Sequence, residues 1–464
     1  MLDAAACGQF DTTAAHAAAF DALRRRFAPG APGTVYLDAN SIGPMPADAP
    51  ARMQAVLDAG WRVARRRSWN ELDWLAQPRL LGRALASVLG AGTDDVRVAE
   101  STSVNQYRLL RLALALKAPR RVIVAEADVF PSNRHVAEGL AHDGAAALRL
   151  LPPVGASAGR QASSGDRDAA RDTMADAAAE STLDATLDAT SDATAQAQQE
   201  RAWTQALDAA LAPGDVAVVA LSAVDYRSSR RHDLARIAQR VHAAGALVLW
   251  DLSHAAGAVA VDLRGSDADL AVGCGYKYLC GGPGAPSFLY VHPRWQDAAW
   301  PAICGWMGHA DTFAFEPAFR PAPGMDRHLV GTPAVLANTA FGAAADVWRD
   351  VDPLALDARH RSLTDTLIRL LDEQCAGLGV ELASPREHAR RGGHVALRFE
   401  GAGPLAQALV AHGVVVSARK PDALRLGVHP LTTTHAELWQ AVQVLRHLLE
   451  SGAWREPRFQ GPSV

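Results

Sequence analysis

The chain has 464 residues, a formal net charge of −4, 49% apolar residues and 21% charged residues. That length exceeds what one hydrophobic core serves and suits two or three packed units. The weakly acidic balance provides no broad basic field for nucleic acid, and no apolar run approaches the about 20 residues that cross a bilayer. The first ten residues carry an acid and show no basic-then-apolar leader pattern. The expectation is a soluble, cytoplasmic protein. Its five cysteines, Cys7, Cys274, Cys280, Cys304 and Cys375, are scattered. They form no Cys-x-x-Cys pair, so neither a disulfide framework nor a metal site is indicated. Lysine is rare: Lys117, Lys277 and Lys420 are the only ones.

From 48 to 86 the pattern is helical, with Trp61, Trp69, Trp74 and Leu81 supplying apolar positions among arginines. Short β-branched runs at 122–124, 216–221, 246–250, 269–274 and 287–291 then read as strands, and 234–243 as an amphipathic helix. That alternation indicates an α/β fold with a mainly parallel sheet and crossover helices. Residues 153–201 differ, being built from Ala, Asp, Thr, Ser and Gln and containing the near-repeat Thr182-Leu-Asp-Ala-Thr-Leu-Asp-Ala-Thr190. Such a stretch buries too little apolar surface to offset its ordering entropy. A mobile surface insertion is expected there, the rival being an Ala-rich helix packed on the large domain. Helical and strand patterns resume at 362–375, 394–399, 413–417 and 434–449. The organisation read from this is an N-terminal segment (1–55) packing with the small domain, a large domain (56–346) and a smaller α+β domain (347–464).

The chemistry concentrates in Leu247-Val-Leu-Trp-Asp-Leu-Ser-His254 and in Gly273-Cys-Gly-Tyr-Lys-Tyr-Leu-Cys-Gly-Gly-Pro-Gly284. Asp251 ends an apolar strand, where open α/β sheets form their ligand crevices. A protonated pyridine nitrogen would partner that acid and remain a strong electron sink. His254, three residues on, can face the same crevice. Lys277 follows a second strand, between glycines that let the backbone approach a ligand, and its amine can form a Schiff base. Singly, each residue has an ordinary structural account: a strand-end Asp caps turns, a lone His sits satisfied in a core, a lysine is solvated. Together they specify pyridoxal phosphate.

Stretches 251–257 and 276–284 resemble kynureninase, a fold-type-I pyridoxal-phosphate enzyme family. The likeness extends to Tyr36-Leu-Asp-Ala-Asn-Ser-Ile-Gly-Pro44, Ser68-Trp-Asn70, Thr102-Ser-Val-Asn105, Phe130-Pro-Ser132, Gly305-Trp-Met-Gly-His309, Gly331-Thr-Pro333 and Arg425-x-Gly427. Nearly the whole chain outside 153–201 is covered. The resemblance implies that Lys277 carries the cofactor, Asp251 pairs with its ring nitrogen and His254 lies near the ring substituents. It implies that Phe130 stacks on the ring and that Thr102, Ser103, Tyr276, Trp306 and Thr332 donate to the phosphate, some from a partner subunit of a homodimer. Ser132, Asn133 and Ser222 match further cofactor-binding positions. Arg425 would grip the substrate α-carboxylate, with Asn40 and Ser41 close by.

The implied reaction is hydrolysis of L-kynurenine or its 3-hydroxy analogue to an anthranilate and L-alanine, in tryptophan catabolism. Lys277 acts as base and proton shuttle, and Tyr276 delivers a proton to the β-carbon. Thr332 stands where some relatives favouring the 3-hydroxy substrate carry Asn, which points to unsubstituted kynurenine. Two departures stand out: Asn133 where the family often has Asp, and Asp225 where it usually has Asn or His. One rival is a cysteine desulfurase-like lyase, which needs a mobile catalytic cysteine; Cys274 and Cys280 instead fit strand and turn positions. The other is a catalytically silent scaffold, against which the retained Lys277 speaks.

Overall fold

A computed structural model describes residues 14–154 and 185–461. In chain order the strands are β1 (Val35–Tyr36), β2 (Val96–Val98), β3 (Val122–Glu126), β4 (Ala147–Leu151), β5 (Val216–Ser222), β6 (Leu247–Asp251) and β7 (Leu270–Cys274). They continue with β8 (Ser287–Val291), β9 (Glu381–Leu382), β10 (His394–Arg398), β11 (Val414–Val415), β12 (Ser417–Arg419) and β13 (Ala423–Gly427).

A seven-stranded sheet in the order β2-β8-β7-β6-β5-β3-β4 forms the large unit. Strands β3 to β7 run parallel, while β8 is antiparallel to both its neighbours. Its central strands are buried on both faces, as a parallel sheet covered by crossover helices requires. Alternate residues supply two separate cores. Val122, Val124, Val248 and Trp250 join one; Ile123, Leu247, Leu249 and Val272 join the other. The strands read from sequence at 122–124, 216–221, 246–250, 269–274 and 287–291 all fall within these elements or one residue beyond.

The helical reading of 48–86 needs division. Helix Ala49–Ala55 passes into a π-helical stretch, Val56–Ala64, which ends at Arg65 with a φ of 50°. The chain folds back on itself just after the break: Ser68 Oγ donates to the Gly60 carbonyl at 3.0 Å, and Trp74, packed edge-on against Trp69, lies against Gly60. Most of the low-complexity stretch, 155–184, lies outside the described residues, so the expected mobility is not described there. Residues 185–201 form the start of helix Ala185–Leu211. That helix is held by its far end, where Trp203, Leu207 and Leu211 enter the core, and alanine's high helix propensity carries the polar portion back from this anchor.

The second unit is a four-stranded antiparallel sheet, β12-β13-β10-β9, packed by helices Pro353–Gln374, Ala402–Ala411 and His435–Ser451. The last of these starts with a capping box: Thr434 and Glu437 satisfy each other's backbone N–H. Strand β1 pairs in parallel with β11, Val35 opposite Val414. Period-two patterning makes this sheet two-sided. Val395, Leu397, Leu424 and Leu426 enter the small core, whereas His394, Ala396, Arg425 and Gly427 face the other way in register.

Candidate functional site

The carboxyl ends of β5, β6 and β7 bring the first group together, with Ser222 opposite Asp251 in the β5–β6 ladder. Asp251 is held at both oxygens: Asn133 Nδ2 donates to Oδ2 at 2.6 Å, and the Ser253 backbone N–H donates to Oδ1 at 2.9 Å. The Asn133 departure therefore has a defined effect. An amide is a donor here, so the Asp251 carboxylate is oriented as an acceptor with no second carboxylate competing for charge. Lys277 Nζ lies 3.0 Å from His254 Nε2 and 5.7 Å from the centre of the Phe130 ring. Burial first, then the positive charge of Lys277, holds His254 well below the usual histidine range. The imidazole is neutral, and its Nε2 lies within hydrogen-bonding reach of the Lys277 amine. The Phe130 ring is 39% exposed and is propped edge-on by Tyr226.

A second group surrounds the start of helix Thr102–Leu116. Ser101 caps it by accepting from the Val104 N–H at 3.3 Å. The first N–H groups of a helix lack intrahelical acceptors and attract anions. Thr102, Ser103, Ser132, Tyr276 and Thr332 line one cleft of about 620 Å³ there. Tyr276 thus stands between this cleft and Lys277; burial, then Cys274 and Asp251, push its phenol well above the usual range, so it keeps its proton. Trp306 is not brought to the cleft. Its indole N–H donates to the Thr312 carbonyl at 2.6 Å and its ring stacks on Phe315, while its neighbour Met307 lines the cleft.

A third group lies on the small sheet. Arg425 is 1% exposed. Its Nη1 donates to the Tyr226 carbonyl at 2.8 Å, and its Nη2 donates to Ser417 Oγ at 2.9 Å and to Ser41 Oγ at 3.3 Å. With its amide turned to satisfy both neighbours, Asn40 accepts from Arg425 Nε at 3.1 Å and donates to Asp38 at 3.2 Å. Burial, then Arg419, brings the guanidinium down to about 10, leaving it charged at neutral pH. Two glycines permit this closeness. A Cβ on Gly427 would run into Asn40, and one on Gly43 would strike the Lys277 carbonyl; the Gly43 N–H instead donates to the Tyr276 carbonyl at 2.8 Å.

Residues 356–445 match the kynureninase C-terminal domain. A kynureninase of Burkholderia mallei (strain SAVP1) is 38% identical over 443 residues, 94% of each chain. One of Deinococcus radiodurans is 40% identical over 421 residues, 90% of each chain. The chain belongs to the kynureninase family. In fold, this kynureninase-family chain is similar to a cysteine desulfurase of Thermococcus onnurineus NA1, at 15% identity and TM-score 0.67 over 93% of this chain and 98% of that one. It is equally similar to the cysteine desulfurase CsdA of Escherichia coli, at 18% identity and TM-score 0.66 over 94% and 98%. The α/β, fold-type-I architecture expected from the sequence is thus the one found.

Several residues near this site carried no signal in the sequence reading. His394 puts its ring 5.8 Å from His254, Ser417 braces Arg425, and Tyr226 contributes a carbonyl and a ring. The alternation of β10 and β13 could have pointed to His394, since a polar residue on the face opposite a leucine core needs a reason. Asp225 proves to be a turn residue: its Oδ1 accepts from the backbone N–H of Arg227 at 3.2 Å and of Ser228 at 2.6 Å. Its charge still acts nearby. After burial and Glu126, it helps push Asp128 up to about 6. Cys274 and Cys280 are both buried, and Cys280 Sγ lies 3.1 Å from His429 Nε2 with its thiol pushed well up by burial.

Buried imidazoles make the fold acid-sensitive. Burial brings His429 down to about 4 and His328 to about 3. In the pH range below the unfolded value the unfolded chain binds the protons that the folded chain refuses, so stability is full above about 6.5 and falls as pH drops toward 4. Each group then costs about 2 kcal/mol at pH 5. Urea unfolding at pH 7 and pH 5 should show the loss, reduced in His429→Gln; equal stability at both pH values contradicts it.

Proposed function

We propose that the chain cleaves L-kynurenine, or its 3-hydroxy analogue, hydrolytically between the β- and γ-carbons, giving an anthranilate and L-alanine, with pyridoxal 5′-phosphate bound through Lys277. The observation that carries this reading is the Lys277 amine 3.0 Å from a neutral imidazole, at the sheet end where Asp251 is held ready as an acceptor. The donor set fits the cofactor. An anchored carboxylate suits a protonated ring nitrogen, the exposed Phe130 face suits a planar heterocycle, and the hydroxyl-lined helix start suits a phosphate. When bound, the group supplies an electron sink conjugated to the substrate amine.

The chain's own residues do the rest. As a free amine, Lys277 would take the α-proton and move it as a general base and acid. His254, uncharged, lies 3.0 Å from that amine and adds no second positive charge beside it. Arg425 grips the α-carboxylate, with Ser41 and Asn40 close by. Water adds to the aryl ketone, and Tyr276 delivers a proton to the β-carbon as the aromatic acid leaves. We assign the reaction to tryptophan catabolism and the supply of NAD precursors in the cytoplasm. We also assign the chain to a homodimer with its sites at the interface; Trp306, Phe313 and Phe315, packed together yet exposed beside the cleft, support that assembly.

Anthranilate fluorescence with both kynurenines, and sulfide release from cysteine as control, tests the reading. Turnover of a kynurenine is expected; sulfide release without anthranilate overturns it. In the same assay Tyr276→Phe should slow turnover about 10²-fold while the cofactor's visible band persists. Unchanged turnover removes Tyr276 from proton delivery.

A further inference from the structure

Strands β12 and β13 are antiparallel, with Ser417 opposite Arg425 and Arg419 opposite Ala423. Side chains two residues apart share a sheet face, so Arg419 stands diagonally beside Arg425. That face is the one directed at the site: Arg425 reaches Ser41 from it, and His394 reaches His254 from it. The opposite face, with Leu424 and Leu426, is committed to the small core.

Arg425 is short of free donors. A guanidinium carries five N–H groups, and four of them are spent on Tyr226, Ser41, Ser417 and the Asn40 side chain. A fork-shaped grip on a carboxylate takes two parallel N–H groups, and one remains. Arg419 has the donors that Arg425 lacks. It is half-buried, its one hydrogen bond runs from Nη1 to the Ala418 carbonyl at 2.7 Å, and no carboxylate among the described residues forms an ion pair with it. Its positive charge bears on Asp38, Tyr226, His254 and Arg425 alike. Two guanidiniums stand side by side on this face with the Asp38 carboxylate near both, an arrangement that a bound anion would help to balance.

We propose that Arg419 is a second carboxylate-binding residue of the substrate pocket, supplying with Arg425 the donors for one carboxylate. This rests on the proposed function for the identity of the ligand. A carboxylate has two sources in that reaction, the amino-acid end shared by substrate and L-alanine, and the aromatic acid formed on cleavage.

The test uses the full-length holoprotein with Arg419→Gln and Arg419→Lys. Arg419→Gln should raise KM for kynurenine about tenfold to a hundredfold with kcat within about a factor of three, and Arg419→Lys should recover part of the loss. L-Alanine binding, read from the cofactor's visible band, and inhibition by anthranilate separate the two sources. Weakened alanine binding with unchanged anthranilate inhibition assigns Arg419 to the α-carboxylate; the reverse assigns it to the aromatic acid. Unchanged KM, alanine and anthranilate affinities overturn the proposal. So does equal loss of both ligands with a lowered Tm in both variants, which marks a structural role. Should the wild-type chain leave kynurenine uncleaved, the proposed function fails, while the two titrations still decide whether Arg419 binds a carboxylate.

Discussion

Lys277→Ala is expected to lower kcat by about 10³-fold or more, since positioned proton transfer alone contributes about 10²–10⁴ and covalent attachment of the cofactor is lost with it. The amine sits 3.0 Å from His254 and faces Phe130, and no other lysine is near: Lys117 stands at the end of helix Thr102–Leu116 against Trp295, and Lys420 is exposed. Borohydride reduction followed by peptide mapping reads the assignment independently of activity. The label should fall on the peptide holding residue 277 and vanish in the alanine variant. Label on Lys117 or Lys420 would sink the assignment. Because the side chain is only partly buried, the variant should fold, and its Tm serves as the control.

Arg425→Gln should lower kcat/KM for kynurenine on the order of 10³-fold, the scale of losing one member of a buried, hydrogen-bonded charge pair. The loss divides into two parts. The carboxylate loses its main cationic partner, and Ser41, Ser417 and the Tyr226 carbonyl lose a shared donor that locks the N-terminal segment to β13. A substrate analogue lacking the α-carboxylate separates them. If Arg425 binds that group, the analogue is handled nearly as well by the variant as by the wild type. An equal loss on both substrates assigns Arg425 to holding the segments together.

The alternating runs of the central sheet were legible because burial on both faces leaves apolar stretches that end abruptly, and Asp251 and Lys277 stood out at those ends. The π-helical break at 56–64 was not legible, since it accompanies Ser68 and Trp74 packing back onto the stretch. Nor was the commitment of the Trp306 indole N–H to Thr312, because nothing in Gly-Trp-Met-Gly states which carbonyl the loop will bring alongside.

The sequence by itself determined the central strands from 122 to 291, the strand-end acid, the lysine between glycines and the family. These are local patterns, and a period-two or period-3.6 pattern reports which face of an element is buried. Only the tertiary structure decided what that face meets. Asn133 reaches Asp251 across 118 residues and Ser41 reaches Arg425 across 384, and Arg419 gains its meaning from a strand register. Such pairings arise when whole elements pack, and the hydrogen bonds that buried polar groups must then find depend on neighbours no local window contains.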